Sequence, residues 1–242
     1  MTATRLVSYQ DQDTHLTGFL AWDETARQPL PGILLVHGGG GLDDHARGQA
    51  ERYAALGYAV LAGDMFGEGV AGDRERVMAC LMALRDDPAG LARRASAGMA
   101  ALASCPEAGG CFAAVGFCFG GLTVLTLARR GADLRAVVSM HGSLATREPA
   151  EPGAVTAKVL ACHGAEDPHV PLTDVVAFAA EMDHAQADWQ LTMYGGAVHG
   201  FTHSHAVPGA VPGVAYDEHA DHRSFEAARA LLAEARLASP AL

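Results

Sequence analysis

Positive charge is scarce in this chain: across 242 residues, 17 Lys and Arg stand against 28 Asp and Glu, a formal net charge of −11. Nucleic acids and anionic membranes are gripped by basic patches, so neither is expected as a partner. Paired cysteines are missing too. Five cysteines, an odd number with no short paired spacing, support neither a disulfide framework nor a zinc knuckle. Reduced thiols and a cytoplasmic location are the simpler expectation. The first ten residues, Met1 to Gln10, lack a charged region followed by an apolar core, so no secretory signal is read there. No internal repeat, low-complexity tract or interdomain linker interrupts the chain.

Apolar residues are plentiful. Half the residues are hydrophobic and 19% are charged, enough to bury a full core in one α/β domain over residues 1–242. One uncharged stretch, Ala108 to Ala128, is long enough to span a bilayer. Glycines at 109, 110, 116, 120 and 121 divide it, and a buried strand, turn and helix account for it better.

Alternating strand and helix signals run the length of the chain. Arg5–Gln10 and His15–Trp22 read as a hairpin at a sheet edge, and Gly32–His37 and Tyr58–Ala62 as buried strands. Helices are predicted from Asp43 or Asp44 to Leu56, Asp73 to Arg85 and Pro88 to Ala103, with Pro88 in a first turn. Cys111–Gly116, Leu134–His141, Val159–His163 and Trp189–Tyr194 are further strands. A helix through Val175, Phe178, Ala179 and Met182 lies between the last two of these, and a last one covers Asp217–Leu237 with Phe225, Ala228, Leu232 and Ala235 on one face. This alternation predicts a mostly parallel sheet with helices on both faces and the active site on loops at the carboxyl ends of the strands.

One of those loops carries a nucleophile signature. Apolar residues lead into Gly116-Phe117-Cys118-Phe119-Gly120, and a helix-like run leads out. A sharp strand-to-helix turn of this kind needs glycines flanking the exposed residue. The partial positive charge of the helix N-terminus favours thiolate at Cys118. Asp167 follows a later strand, in Gly164-Ala165-Glu166-Asp167-Pro168, and His199 a still later one, in Gly195-Gly196-Ala197-Val198-His199. Nucleophile, acid and histidine in that order are the arrangement of the α/β-hydrolase fold. Cys118 would attack, His199 would move the proton, and Asp167 would orient the ring. Glu166 is the alternative acid, and His203 and His205 are alternatives to His199. The backbone N–H groups of Phe119 and Gly39 (or Gly38) are the expected oxyanion donors. Cys80, Cys105, Cys111 and Cys162 read as inert buried thiols. His199/His203/His205 and His219/His222 have separations that can share a ligand sphere, but the first group lies in a glycine- and proline-rich loop and lacks a carboxylate or thiolate at a recognised spacing, so no metal is expected.

Three motifs together resemble the dienelactone hydrolase family: Gly-Phe-Cys-Phe-Gly-Gly at 116–121, Gly-x-x-Asp-Pro at 164–168 and Val-His-Gly-Phe-Thr at 198–202. The resemblance runs from the Val36-His37-Gly38 loop to the C-terminal helix. It implies a triad of Cys118, Asp167 and His199, hydrolysis of a small carboxylic ester or lactone through a thioester, and no cofactor. Two positions depart from the best-studied members. Gly38 stands where they carry a glutamate that helps control the resting thiol. Of the two arginines that hold a dienelactone carboxylate, one falls near Arg74 or Arg76, and His203 replaces the other. Losing a permanent charge there weakens binding of that anion, so a different substrate is expected. Gly38, Arg74, Arg76 and His203 are thus the candidate substrate contacts. The partner expected is a small molecule, with the chain a monomer or homodimer. Alternative readings are the same triad acting on a thioester or amide, and a non-catalytic thiol redox sensor on this fold.

Overall fold

The computed structural model describes residues 1–237, so the last five residues of the expected 1–242 domain lie outside it. The chain divides into two compact units, Met1–Val115 and the segment from Gly116 onward. The first contains β1 (Thr2–Asp11), β2 (Thr14–Asp23), β3 (Leu30–Val36), α1 (Asp44–Ala54), β4 (Ala59–Gly63), α2 (Arg74–Asp86) and α3 (Pro88–Ala103), with β5 (Ala108–Phe117) running out of it. The second contains α4 (Phe119–Arg129), β6 (Ala136–Met140), β7 (Lys158–Gly164), α5 (Leu172–His184), β8 (Trp189–Tyr194) and α6 (Glu218–Leu237). The eight strands form one sheet in the order β1-β2-β4-β3-β5-β6-β7-β8.

In the first unit, β1 and β2 pair antiparallel over their whole lengths, Thr2 opposite Asp23 and Asp11 opposite Thr14. β1 alternates exposed and half-buried residues, as an edge strand does, whereas every residue of β4 is buried. β3 and β4 pair in parallel. Helix starts follow local capping chemistry. The Asp43 carboxylate accepts the Ala46 N–H, Asp73 accepts from Glu75 and Arg76, and Asp87 accepts from Gly90 ahead of Pro88 in the first turn. The buried Asp11 carboxylate is held by Arg93 at 3.0 Å and Arg94 at 2.6 Å, tying α3 to β1.

In the second unit β6, β7 and β8 are all parallel. α4 packs on β6, and α6 on β6 and β7. Of the four α6 residues expected on one face, Ala228, Leu232 and Ala235 are buried and Phe225 is half-buried. Arg129, buried near the end of α4, makes paired bonds to Glu181 of α5 at 2.8 and 2.9 Å. The stretch once eligible as a membrane span is β5 followed by α4. Among the described residues no helix is long and apolar enough to cross a membrane.

Candidate active site

Cys118 sits between β5 and α4 with φ 53° and ψ −112°. A non-glycine residue at positive φ stores backbone strain, commonly about 1–3 kcal/mol, which the surroundings must impose. Those surroundings are glycine-dependent. A Cβ on Gly116 would lie 2.0 Å from the Gly120 carbonyl oxygen, and one on Gly121 would lie 2.6 Å from Gly142 Cα. Larger residues at either position would open the turn. Cys118 is fixed from behind by its N–H, which donates to Met140 O at 3.0 Å.

The loop after β7 supplies the acid. Gly164 allows close approach to the loop after β8, because a Cβ there would meet the Ala197 and Val198 carbonyls at 2.6 and 2.7 Å. Glu166 donates its N–H to Ala197 O but its side chain is exposed. Asp167 is buried, and its Oδ2 lies 2.8 Å from His199 Nδ1. Its other oxygen accepts the His169 N–H at 2.8 Å. Asp167, not Glu166, is therefore the carboxylate on the ring.

His199 also hydrogen-bonds Cys118, so one imidazole bridges thiol and carboxylate. Burial disfavours its charged form, but the bonds and negative charge of Asp167 and Cys118 outweigh that, raising its pKa to about 10. Asp167 behaves reciprocally. Burial pushes its carboxyl pKa up, the His199 bond and charge pull it down further, and the net direction is downward. Both neighbours thus favour the charged form of the His199 ring.

Sequence reasoning missed two residues beside His199. The rings of His141 and His169 stand edge-on to it, with centroids 5.3 and 5.2 Å away. His141 is fully buried at φ 40°, and its Nε2 is 2.8 Å from Thr202 Oγ1. Thr202 lies three residues after His199 and was visible in its motif, but His141 comes from the end of β6 with no spacing signal. His203 is half-buried, its ring 5.7 Å from that of His141; His205 is exposed. Phe119 is the first residue of α4, where a helix supplies no acceptor for its own N–H groups.

The first unit holds the remaining candidates. The buried His37 ring accepts the Met65 N–H at Nε2, 3.1 Å away, and so donates from Nδ1 to Gly38 O at 2.7 Å. Burial lowers its pKa, consistent with a neutral ring. Gly38 is buried and Gly39 half-buried. Arg74 and Arg76 are exposed at the start of α2. Arg76 donates to Gly69 O at 2.8 Å, and Arg74 lines an open cavity of about 560 Å³ with Met78 and Met82.

Of the four thiols expected to be buried, Cys105 and Cys162 are, whereas Cys80 and Cys111 are only half-buried. Among the described residues, no group of three His, Cys, Asp or Glu side chains converges as a metal site would require.

A sheet of this order, with its strained cysteine between strand and helix, is an α/β-hydrolase fold. Within that class the chain belongs to the dienelactone hydrolase family, whose model matches residues 16–236. It is a hydrolase of that family. The solved structure of m3DLH shares 39% identity at TM-score 0.90, covering 97% of this chain and 98% of that one. A dienelactone hydrolase-like promiscuous phosphotriesterase from metagenomic libraries also shares 39% identity, at TM-score 0.89 over 96% and 98%. An uncharacterized protein of Caenorhabditis elegans is 38% identical over 124 residues, 50% of this chain and 78% of the relative.

Proposed function

We propose that the chain hydrolyses a small carboxylic ester or lactone with a Cys118–His199–Asp167 triad. What supports this most is the single imidazole of His199, bonded to Asp167 at 2.8 Å on one side and to Cys118 on the other. The sulfur of Cys118, as thiolate, attacks the carbonyl carbon and forms a C–S bond while the oxygen takes the electron pair. Backbone N–H groups of Phe119 and Gly39 receive that oxyanion, each worth a few kcal/mol to the transition state. The tetrahedral species collapses with cleavage of the C–O bond, and His199 gives its proton to the departing alkoxide. Water then attacks the thioester, His199 takes a water proton, and the thiolate leaves. No cofactor enters these steps.

Substrate choice rests on the departures in the family pattern. His203 in place of an arginine, and glycine at 38, favour a substrate without the dienelactone carboxylate. Arg74 and Arg76 are candidate contacts for any remaining acidic group. We place the enzyme in the cytoplasm, as a monomer or homodimer needing no nucleic acid or membrane. A second reading comes from the neighbour described as a promiscuous phosphotriesterase, which is 39% identical. Phosphotriesters present a tetrahedral centre to the same nucleophile.

A panel of chromogenic esters, lactones, thioesters, amides and a phosphotriester tests the assignment. Highest kcat/KM with esters or lactones supports it, and exclusive turnover of amides or phosphotriesters overturns it. Modification of Cys118 by dilute peroxide without any turnover would support a redox sensor instead.

A further inference from the structure

His169 follows the candidate acid by two residues, and its ring does something Asp167 does not. Its Nε2 lies 3.1 Å from the Pro212 carbonyl oxygen, 43 residues away. A carbonyl only accepts, so Nε2 carries the proton. Pro212 belongs to the strap 202–216 that joins the His199 loop to α6. That strap holds the backbone of His199 at both of its polar groups. The His199 N–H donates to Gly213 O at 3.0 Å, and His199 O accepts the Ala215 N–H at 3.1 Å. Packing reinforces the contact: a Cβ on Gly213 would lie 2.2 Å from Pro168 Cγ, and one on Gly200 would lie 2.9 Å from Val214 Cγ1. Asp217 N–H to Phe201 O and Tyr216 N–H to Ala206 O, both 3.1 Å, close the strap behind these bonds.

From this we infer that His169 is a positioning residue for His199, latching the strap through Pro212. Asp167, Pro168 and His169 then work as one clamp. The carboxylate orients the His199 ring, Pro168 fills the space beside Gly213, and the His169 ring fixes the carbonyl next to the residue that bonds the His199 backbone. The His169 ring, edge-on to His199 at 5.2 Å, also walls one side of that imidazole. Within the strap, Val207 and Val211 are exposed. The latch sets the placement of the strap and of the imidazole together. Its catalytic meaning rests on the triad reading above.

Because the His169 N–H to Asp167 is backbone, side-chain substitutions leave it in place and report on the ring alone. His169 is exposed, so its variants are expected to fold. Three are compared with wild type in the full-length protein: His169→Ala, His169→Phe, which keeps a ring but no donor, and His169→Gln, which keeps an N–H donor. Amide hydrogen exchange at His199 and Ala215 should quicken about fivefold to tenfold in the Ala and Phe variants and return towards wild type in Gln. Ester kcat should fall about tenfold in the same two variants with KM changed less than about twofold, since misplacing a catalytic group acts on the transition state. Wild-type exchange in both variants, quickened exchange with unchanged kcat, or failure of Gln to restore either, overturns the inference. Repeating the exchange measurement in Cys118→Ala separates the two proposals. The latch is read there without turnover, whereas failure of the triad reading shows as Cys118→Ala retaining activity.

Discussion

Two cysteine–histidine neighbourhoods in the second unit have nearly the same composition and opposite chemistry. Cys162 and His163 lie inside β7, in regular extended backbone. Burial pushes the Cys162 thiol up to about 12, and its sulfur accepts the Tyr194 hydroxyl at 3.5 Å. His163 is buried with no partner for Nδ1 among the described residues, and burial lowers its pKa despite the Asp167 charge nearby. Cys118 and His199 lie on loops beyond strand ends, where the turn forces φ 53° and the carboxylate is within 2.8 Å. Burial acts on both histidines. Only in the loops do hydrogen-bonded anions overcome it. Strand interiors satisfy backbone groups first and leave side chains to an apolar medium, whereas loops can aim several polar side chains at one point.

The contrast can be broken most sharply by removing the thiols. Cys118→Ala and His199→Ala should each lower ester kcat/KM about 10⁴-fold or more, measured with the best ester of the panel. Asp167→Asn should cost somewhat less, about 10³-fold to 10⁴-fold, because the ring keeps its place but loses its charged partner. Equal loss in Cys162→Ala would erase the distinction between the two neighbourhoods.

Titration sharpens the same comparison. The alkaline limb of kcat/KM should fall near pH 10, as the raised His199 pKa of about 10 requires, and Cys118→Ala should lower that pKa, read by NMR of the ring nitrogens. The stability consequences run in opposite directions. His199 is raised above its ordinary 6.5, so its contribution is complete below that value and is lost as pH climbs towards about 10. His163 is lowered from the same 6.5, so its contribution is present above 6.5 and is lost as pH falls towards its folded value. Denaturant midpoints of His199→Phe and His163→Phe relative to wild type, followed from pH 5 to 10, should diverge with opposite slopes. The smallest expected effect is Cys162→Ala. It should change activity less than about twofold and cost about 1–2 kcal/mol of stability as a small buried truncation.

Much of the fold was legible because strand and helix periods alternate cleanly. α3 and β8 fall at their expected bounds, and the Asp caps mark α1 and α2 within a residue. Strand ends were less legible. β1 reaches Thr2 and Asp11 because ten register pairs with β2 hold it, and β5 begins at Ala108, passing through Gly110 at φ 79°. The β1–β2 hairpin was read from the sequence, but the outermost register pairs that lengthen it carry no local signal. In the site, Cys118, Asp167 and His199 each sit in a glycine-bearing loop after an apolar run, so local sequence carries them. His141 and His169 look like ordinary loop histidines. What sets them beside His199 is the parallel order β6-β7-β8, which brings three strand ends together from residues some sixty positions apart in sequence. His141 at φ 40° is the kind of strained residue that gathers at active sites, but strain is invisible before the backbone is known.

The most direct test of the triad is to catch the acyl group on sulfur. Acid quenching during steady-state ester turnover, followed by peptide mass spectrometry, should find the acyl mass on the peptide carrying Cys118, with none on Cys162 and none at all in Cys118→Ala. Turnover that continues at the wild-type rate in Cys118→Ala, with no acylated cysteine in either protein, would contradict the account.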